Sequence, residues 1–315
     1  MIIHPRVTFM IATHNRLREL EITLTSCLAQ IGVVAEIKVV DDASNDGTYA
    51  AVRSRFPSVD IVRNELNRGS IASRNDILKR ARGDYIIALD DDSRFVDSDA
   101  CARIVARMDA EPDLGIIAFQ VIGPENPTTL TPEGRLTGEW HCSSFVCCGA
   151  AIRRCMLAKT GLFPEFFYHA YEEPDLALRA WDAGYRVLQW NDIVVYHEFS
   201  GLNRNEQRTH RRHTRNEALS VVMRSPWYLV IPLCIMRLAR QFGYALRRGW
   251  AWREPWIWIE TIYFIPQALR NRRPVAAGSV KMILGLNRIK LRSPQSAWLL
   301  SATPWHKIAM LTKSD

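Results

Sequence analysis

Three consecutive aspartates, Asp90, Asp91 and Asp92, close the stretch "YIIALDDDSRF" (85–95) directly behind an apolar run. Carboxylates side by side repel one another, so a positive group must sit among them. A small set of hard oxygen donors suits Mg2+ or Mn2+, which keep several waters and share the oxygens of a bound phosphate. Acidic residues also begin loops and cap helices, which explains a lone aspartate better than three behind a buried strand. A second acidic pair, Asp41 and Asp42, opens "DDASNDGT" (41–48). Ser44, Asp46 and Gly47 suit a turn into a helix, while Asp42 is free to accept a hydrogen bond from a ligand N–H. The spacing alone does not choose between these. A third cluster, Glu172, Glu173 and Asp175, lies in "YEEPDLALR" (171–179). Acidic residues suit a helix N-terminus, and a carboxylate facing a cleft can take a proton as general base.

These groups need elements that bring them together. "VTFMIA" (7–12), "AEIKVVD" (35–41), "VDIVR" (59–63) and "DYIIAL" (84–89) read as strands. Helical patterns fall at 17–30, from about Asp46, and at 71–81. Short apolar runs alternating with amphipathic helices predict an α/β fold with a doubly wound, mostly parallel sheet. Ligands of such sheets sit beyond the carboxyl ends of the strands. Thr13 and Asn15, Asp41 and Asp42, and Asp90–Asp92 all fall there. Further along, "LGIIAFQVI" (114–122), "SSFVCCGAAI" (143–152), "RVLQW" (186–190) and "IVVYH" (193–197) read as strands, with a Pro-rich polar loop at 124–135. A helix is expected from about Pro174 to Ala183, ended by Gly184.

The 315 residues, 48% of them hydrophobic, can bury a sizeable core. The net charge of +8 hides an asymmetry. Residues 1–200 carry 21 Lys and Arg against 28 Asp and Glu, whereas residues 201–315 carry 20 against 5 and seven of the ten tryptophans. An acidic domain (1–205) and a basic, Trp-rich helical region (206–315) are therefore expected to meet different partners. In the second region, the uncharged run Pro226–Met236 is 11 residues long, short of the roughly 20 that span a bilayer. Aromatic residues flanking apolar blocks beside arginines suit helices lying on an anionic membrane surface. Nucleic acid is disfavoured, because the aromatics stand in apolar blocks rather than in a polar stacking arrangement. The opening "MIIHPRVTFMIATHNR" lacks the pattern of a secretory signal. Seven cysteines without a C-x-x-C pair read as reduced thiols of a cytosolic protein.

The order of motifs resembles the family 2 glycosyltransferases with the A-type glycosyltransferase fold. It covers about residues 5–220 and rests on "IATHNR" (11–16), "VVDDASNDGT" (39–48), "NRGSIASRNDILKRARGDYIIALDDDSRF" (67–95), "GLFPEFFYHAYEEPDLALRAWDAGYRV" (161–187) and His197 after an apolar strand. "RRHTRNEAL" (211–219) is similar to the segment behind the catalytic domain in the rhamnosyltransferase-like branch. The resemblance implies a nucleotide-sugar donor, a divalent cation (Mn2+ or Mg2+) and anomeric inversion. It implies that Asp42 reads the nucleobase with Thr13 near the nucleotide, and that Arg74 supports the acidic site or the diphosphate. Asp92 becomes the metal ligand, completed by His197, with Asp90 and Asp91 on sugar or ribose hydroxyls. Glu173 falls where the family commonly has aspartate, which makes it the first choice as base, with Asp175 second and Glu172 also open. With the basic tail, this points to transfer onto a lipid-linked sugar or growing polysaccharide at the cytoplasmic face of a membrane.

Two rival functions fit less well. A nucleotidyltransferase needs a Gly-rich loop behind the first strand, and "IATHNRLREL" has no glycine. A non-catalytic factor on the same fold predicts damaged acidic motifs, and all are intact.

Overall fold

The computed structural model describes residues 4–124, 127–131, 134–199 and 205–288. Parts of the Pro-rich loop and the stretch 289–315 of the basic region lie outside the described residues. The first ninety residues alternate as expected: β1 (Val7–Thr13), α1 (Leu17–Leu28), β2 (Ala35–Asp41), α2 (Thr48–Arg55), β3 (Val59–Arg63), α3 (Ser70–Arg80) and β4 (Tyr85–Asp90). Each helix carries the chain back to the same edge, so the four strands pair in parallel in the order β3-β2-β1-β4. Successive side chains of a strand point to opposite faces. Val7, Phe9 and Ile11 accordingly join one core with Leu20, Leu24, Ile104 and Met108, while Met10 joins the other with Ile71, Ile77 and Leu176. Covering on both faces is why these strands read as unbroken apolar runs.

The second half comprises β5 (Ser93–Phe95), α4 (Ala100–Ala110), β6 (Leu114–Ile122), β7 (Glu139–His141), β8 (Ala150–Arg153), α5 (Leu157–Thr160), α6 (Glu172–Asp182) and β9 (Arg186–His197). The sheet continues as β4-β8-β6-β9-β5, with β7 also on β9. β8 is antiparallel to β4 and β6, β6 and β9 are parallel, and β5 and β7 run antiparallel to β9. The sheet is thus parallel through its first four strands and mixed beyond them.

Three expected strands differ from the structure. Only Ala150–Arg153 of the 143–152 stretch is strand. Its first half turns out of the sheet, with Gly149 N donating to Val146 O (3.1 Å) and Cys147 N donating to Glu173 Oε1 (3.3 Å). The runs 186–190 and 193–197 form one strand, because a register shift opposite Phe119 and Gln120 absorbs the polar residues between them.

The C-terminal helices are α7 (Glu206–Arg224), α8 (Trp227–Arg247), α9 (Glu254–Arg270) and α10 (Ala277–Arg288). Leu219, Val222 and Met223 of α7, with Ala268 of α9 and Met282, Ile283 and Leu286 of α10, bury in one cluster with Leu176, Ala177 and Ala180 of α6. α8 extends well past the uncharged run to 21 residues, and is long and apolar enough to cross a membrane by length and composition. Two of its arginines are paired with α7. Arg237 donates to the buried Glu217 of α7 (3.0 Å), and Arg240 reaches the same carboxylate. With Arg237 drawn inward, Tyr228, Ile231, Ile235 and Leu246 form an exposed apolar stripe.

Candidate active site

The register of three neighbouring strands sets the site. Thr13 stands opposite Asp41, and Ala12 opposite Asp90, so the ends of β2, β1 and β4 lie level. β5 then pairs Ser93 with His197, folding the end of β9 back over the triplet. Glu198 N donates to Asp92 O (2.9 Å), and His197 Nε2 lies 3.0 Å from Asp92 Oδ1. Residues 105 positions apart thereby meet.

The triplet is already matched by guanidinium groups. Arg16 Nη1 donates to Asp91 Oδ1 (3.1 Å) and Asp92 Oδ2 (3.0 Å), and Arg74 Nη2 donates to Asp90 Oδ1 (2.7 Å). Arg16 was not singled out from the sequence, although it closes the first motif, "IATHNR". Repulsion within the triplet therefore does not by itself demand a metal ion. Asp91 also accepts from Thr13 Oγ1 (2.7 Å), and burial pushes its carboxyl up to about 7 against the pull of Arg16 and Thr13. Thr13 and Asp91 thus brace one another in the site floor.

The residues present do fit a cation. The 3.0 Å between Asp92 Oδ1 and His197 Nε2 is the separation of two neighbouring ligands on an octahedral ion with bonds of about 2.1 Å. A further set, Asp90, Cys148 and His197, brings its donor atoms within 4.8 Å of one another.

Asp42 holds a loop. Its Oδ1 accepts from Asn64 Nδ2 (2.8 Å) and Arg68 N (2.9 Å), and its Oδ2 from Gly69 N (2.8 Å). Asp41 serves the turn, accepting from Ser44 N (2.9 Å). Gly69 has φ +87°, and a Cβ there would lie 2.7 Å from Tyr168 O, so the loop presses against the approach to α6. That approach is strained: Tyr168, Ala170 and Tyr171 have φ of 65°, 73° and 71°. Such conformations cost about 1–3 kcal/mol each in a non-glycine residue. Asn216, fully buried on α7, donates to His169 O (3.0 Å) and Ala170 O (2.8 Å), and Arg215 Nη2 to Phe167 O (3.0 Å). The segment "RRHTRNEAL" thus clamps the loop ahead of the α6 carboxylates.

The three α6 carboxylates have different fates. Arg74 Nη1 donates to Glu172 Oε1 (2.9 Å), so one guanidinium joins the end of β4 to α6. Glu172 is buried, and burial raises its pKa against Arg74. Glu173 is half-buried at the crevice, its pKa raised first by burial and then by the charge of Glu172. Asp175 does not face the crevice, which corrects its candidacy as a base. It is fully buried between α6 and α7, accepting from Ser220 Oγ (2.9 Å), Arg224 Nε (2.9 Å) and Arg179 Nε (2.9 Å). Burial would raise its pKa, but Arg179 and Arg224 hold it down to about 2. Helical spacing carried this signal: two residues at about 100° each put Asp175 nearly opposite Glu173.

The sequence profile of the family described as "Glycosyl transferase family 2" matches residues 8–161. The succinoglycan biosynthesis protein ExoO of Rhizobium meliloti (strain 1021) is 39% identical over 107 residues, 34% of this chain. The chain spans only 30% of that relative's length. S. aureus TarS residues 1–349, solved in complex with UDP-GlcNAc, has the same fold at 17% identity, with 98% of this chain and 91% of that one covered and a TM-score of 0.62. The mannosyltransferase PcManGT from Pyrobaculum calidifontis, in complex with GDP-Man and Mn2+, is 20% identical over 99% of this chain and 87% of that one, with a TM-score of 0.54. The fold is the A-type glycosyltransferase fold, and it is residues 8–161 of the chain that match the glycosyl transferase family 2 profile.

Proposed function

We propose that the protein is an inverting, divalent-cation-dependent glycosyltransferase, moving a sugar from a nucleotide diphosphate donor to a hydroxyl of a glycan acceptor. The observation that carries this reading is the bridge from Asp90 through Arg74 to Glu172, which sets the Asp92–His197 pair and the crevice carboxylate Glu173 about one mouth. Asp92 and His197 hold the cation. Mn2+ or Mg2+ bound there offsets the negative charge that grows on the departing nucleoside diphosphate. Asp90 binds sugar or ribose hydroxyls through its open side, while Asp91 and Thr13 fix the floor beneath. Asp42 orders the 64–69 loop against which the base stacks, and its carboxylate reads the base edge as that loop adjusts. Glu173 takes the proton of the acceptor hydroxyl as it attacks from the face opposite the leaving group. A raised pKa brings a carboxylate closer to the basicity this step needs.

The acceptor reading rests on ExoO, named for succinoglycan biosynthesis, and on the exposed apolar faces of α8 and α9. Trp256, Ile259 and Tyr263 repeat on α9 the stripe of α8. Both helices lie on the anionic cytoplasmic face of a membrane, where a lipid-linked or polysaccharide acceptor is reached. The test is a thermal-shift screen of UDP-, GDP- and deoxythymidine-diphosphate sugars with Mn2+, followed by nucleotide release. One donor raises the melting temperature, and Asp92→Ala abolishes the Mn2+-dependent release. Full release by Asp92→Ala removes the metal assignment, and no response to any donor removes the function.

A further inference from the structure

The turn-out of residues 143–149 from the sheet has a chemical consequence. Among the described residues, Asp90, Cys148 and His197 are one set of carboxylate, thiol and imidazole whose donor atoms lie within 4.8 Å of one another. The adjacent Cys147 is buried and its N–H is held by Glu173, which leaves Cys148, half-buried, to face the mouth. The charged neighbours of the Cys148 thiol are Asp90, Glu173, Arg74 and Asp92. Cys148 is thus next in sequence to a residue held by Glu173, and its thiol lies within reach of Asp90 and His197.

Zn–S and Zn–N bonds of about 2.3 and 2.1 Å in tetrahedral geometry bring donors to about 3.6 Å. Donor atoms within 4.8 Å of one another are therefore close to that spacing. Thiolate selects soft ions, whereas carboxylate and water suit Mg2+ and Mn2+.

We propose that Cys148 is a thiolate ligand of a soft-metal site, completed by Asp90 and His197, which overlaps the hard-cation pair Asp92 and His197. The thiol proton leaves to solvent as the metal–sulfur bond forms. Because His197 belongs to both sets, a thiophilic ion such as Zn2+ or Cd2+ excludes Mn2+ and blocks donor binding. The inference rests on the cation reading of this mouth and adds to it a ligand and a metal preference.

The test uses the full chain and Cd2+ alone, read by the ultraviolet thiolate-to-cadmium charge-transfer band. Wild type shows the band at one equivalent of Cd2+, and added Mn2+ at high excess suppresses it. Cys148→Ser loses the band and binds Cd2+ at least about tenfold more weakly, while its Mn2+ affinity, read by electron paramagnetic resonance, changes less than twofold. Cys155→Ser, altering an exposed cysteine elsewhere, keeps the band. Circular dichroism confirms that both variants are folded. A band that survives Cys148→Ser, or equal weakening of Cd2+ and Mn2+ binding, overturns the proposal. Mn2+-dependent donor turnover is measured beside it. Turnover without a cadmium band removes only the thiol site, and a band without turnover removes only the glycosyltransferase reading.

Discussion

Asp175 and Glu173 are two residues apart, and the structure gives them opposite duties, so exchanging each for its amide should separate stability from turnover. Asp175→Asn leaves Arg179 and Arg224, 6% and 5% exposed, without their counter-charge. Removing one partner of a buried ion pair costs about 3–5 kcal/mol. The pH dependence is a sharper check. The folded pKa of Asp175 is about 2, below an unfolded value near 3.9. The unfolded chain therefore binds the extra proton, and the stability from this group is complete above about pH 4 and lost as pH falls toward 2. Integration gives about 2–3 kcal/mol at pH 7 and about half that at pH 3. Urea unfolding followed by tryptophan fluorescence, on wild type and Asp175→Asn at pH 7, 5 and 3, reads the difference. The gap between the two proteins should be equal at pH 7 and 5 and clearly smaller at pH 3. A gap that stays constant to pH 3, or one under about 1 kcal/mol at pH 7, refutes the buried ion cluster.

The other predictions concern turnover and attachment. Glu173→Gln should lower kcat by about 10²-fold or more with donor affinity and melting temperature nearly unchanged; its raised pKa places the rising limb of the wild-type pH profile above the ordinary carboxylate range, and a limb near pH 4 would contradict the base. Asn216→Ala strips donors from the carbonyls of His169 and Ala170 in the strained loop; stability should fall by about 1–3 kcal/mol, and kcat should fall more than donor affinity, which measured binding and rate constants will separate. Ile231→Ser with Trp256→Ser should weaken flotation with anionic vesicles at least tenfold and leave donor hydrolysis in detergent intact; equal flotation of wild type and variant would remove the membrane face.

Much of the strand-end side of the site was legible because it depends on short-range patterns. Apolar runs ending in Thr13, Asp41 and Asp90 announce parallel strands with polar ends, and the parallel register then brings those ends level. What was not legible depends on partners far along the chain. Arg16 meets Asp91 and Asp92 only because β1 and β4 are neighbours, and its place at the end of "IATHNR" does not by itself reveal that pairing. Asp175 looked like a crevice carboxylate until Arg224, on a helix of the basic region, took its oxygens. The 143–152 run read as one strand because its residues are apolar or small, yet its first half leaves the sheet and delivers Cys148 to the mouth. Asn216 was visible only as part of a motif; its duty needed the strained loop that it holds.

The electrostatics of the mouth sharpen why a cation belongs there although two arginines already serve it. Five carboxylates, Asp90, Asp91, Asp92, Glu172 and Glu173, face Arg16 and Arg74. Two positive charges do not balance five negative ones, and burial resolves part of the excess by raising the pKa of Asp91, Glu172 and Glu173. Protonation can neutralise a carboxyl, but it gives no ordered positive centre for a diphosphate, which brings further negative charge into the same space. The guanidiniums are also spent geometrically. Arg16 is aimed at Asp91 and Asp92, and Arg74 spans Asp90 and Glu172. Their function is to hold the carboxylates in place in the absence of ligand. A divalent ion held by Asp92 and His197 would add its charge beside the triplet, whereas Arg74 bonds to Asp90 and Glu172.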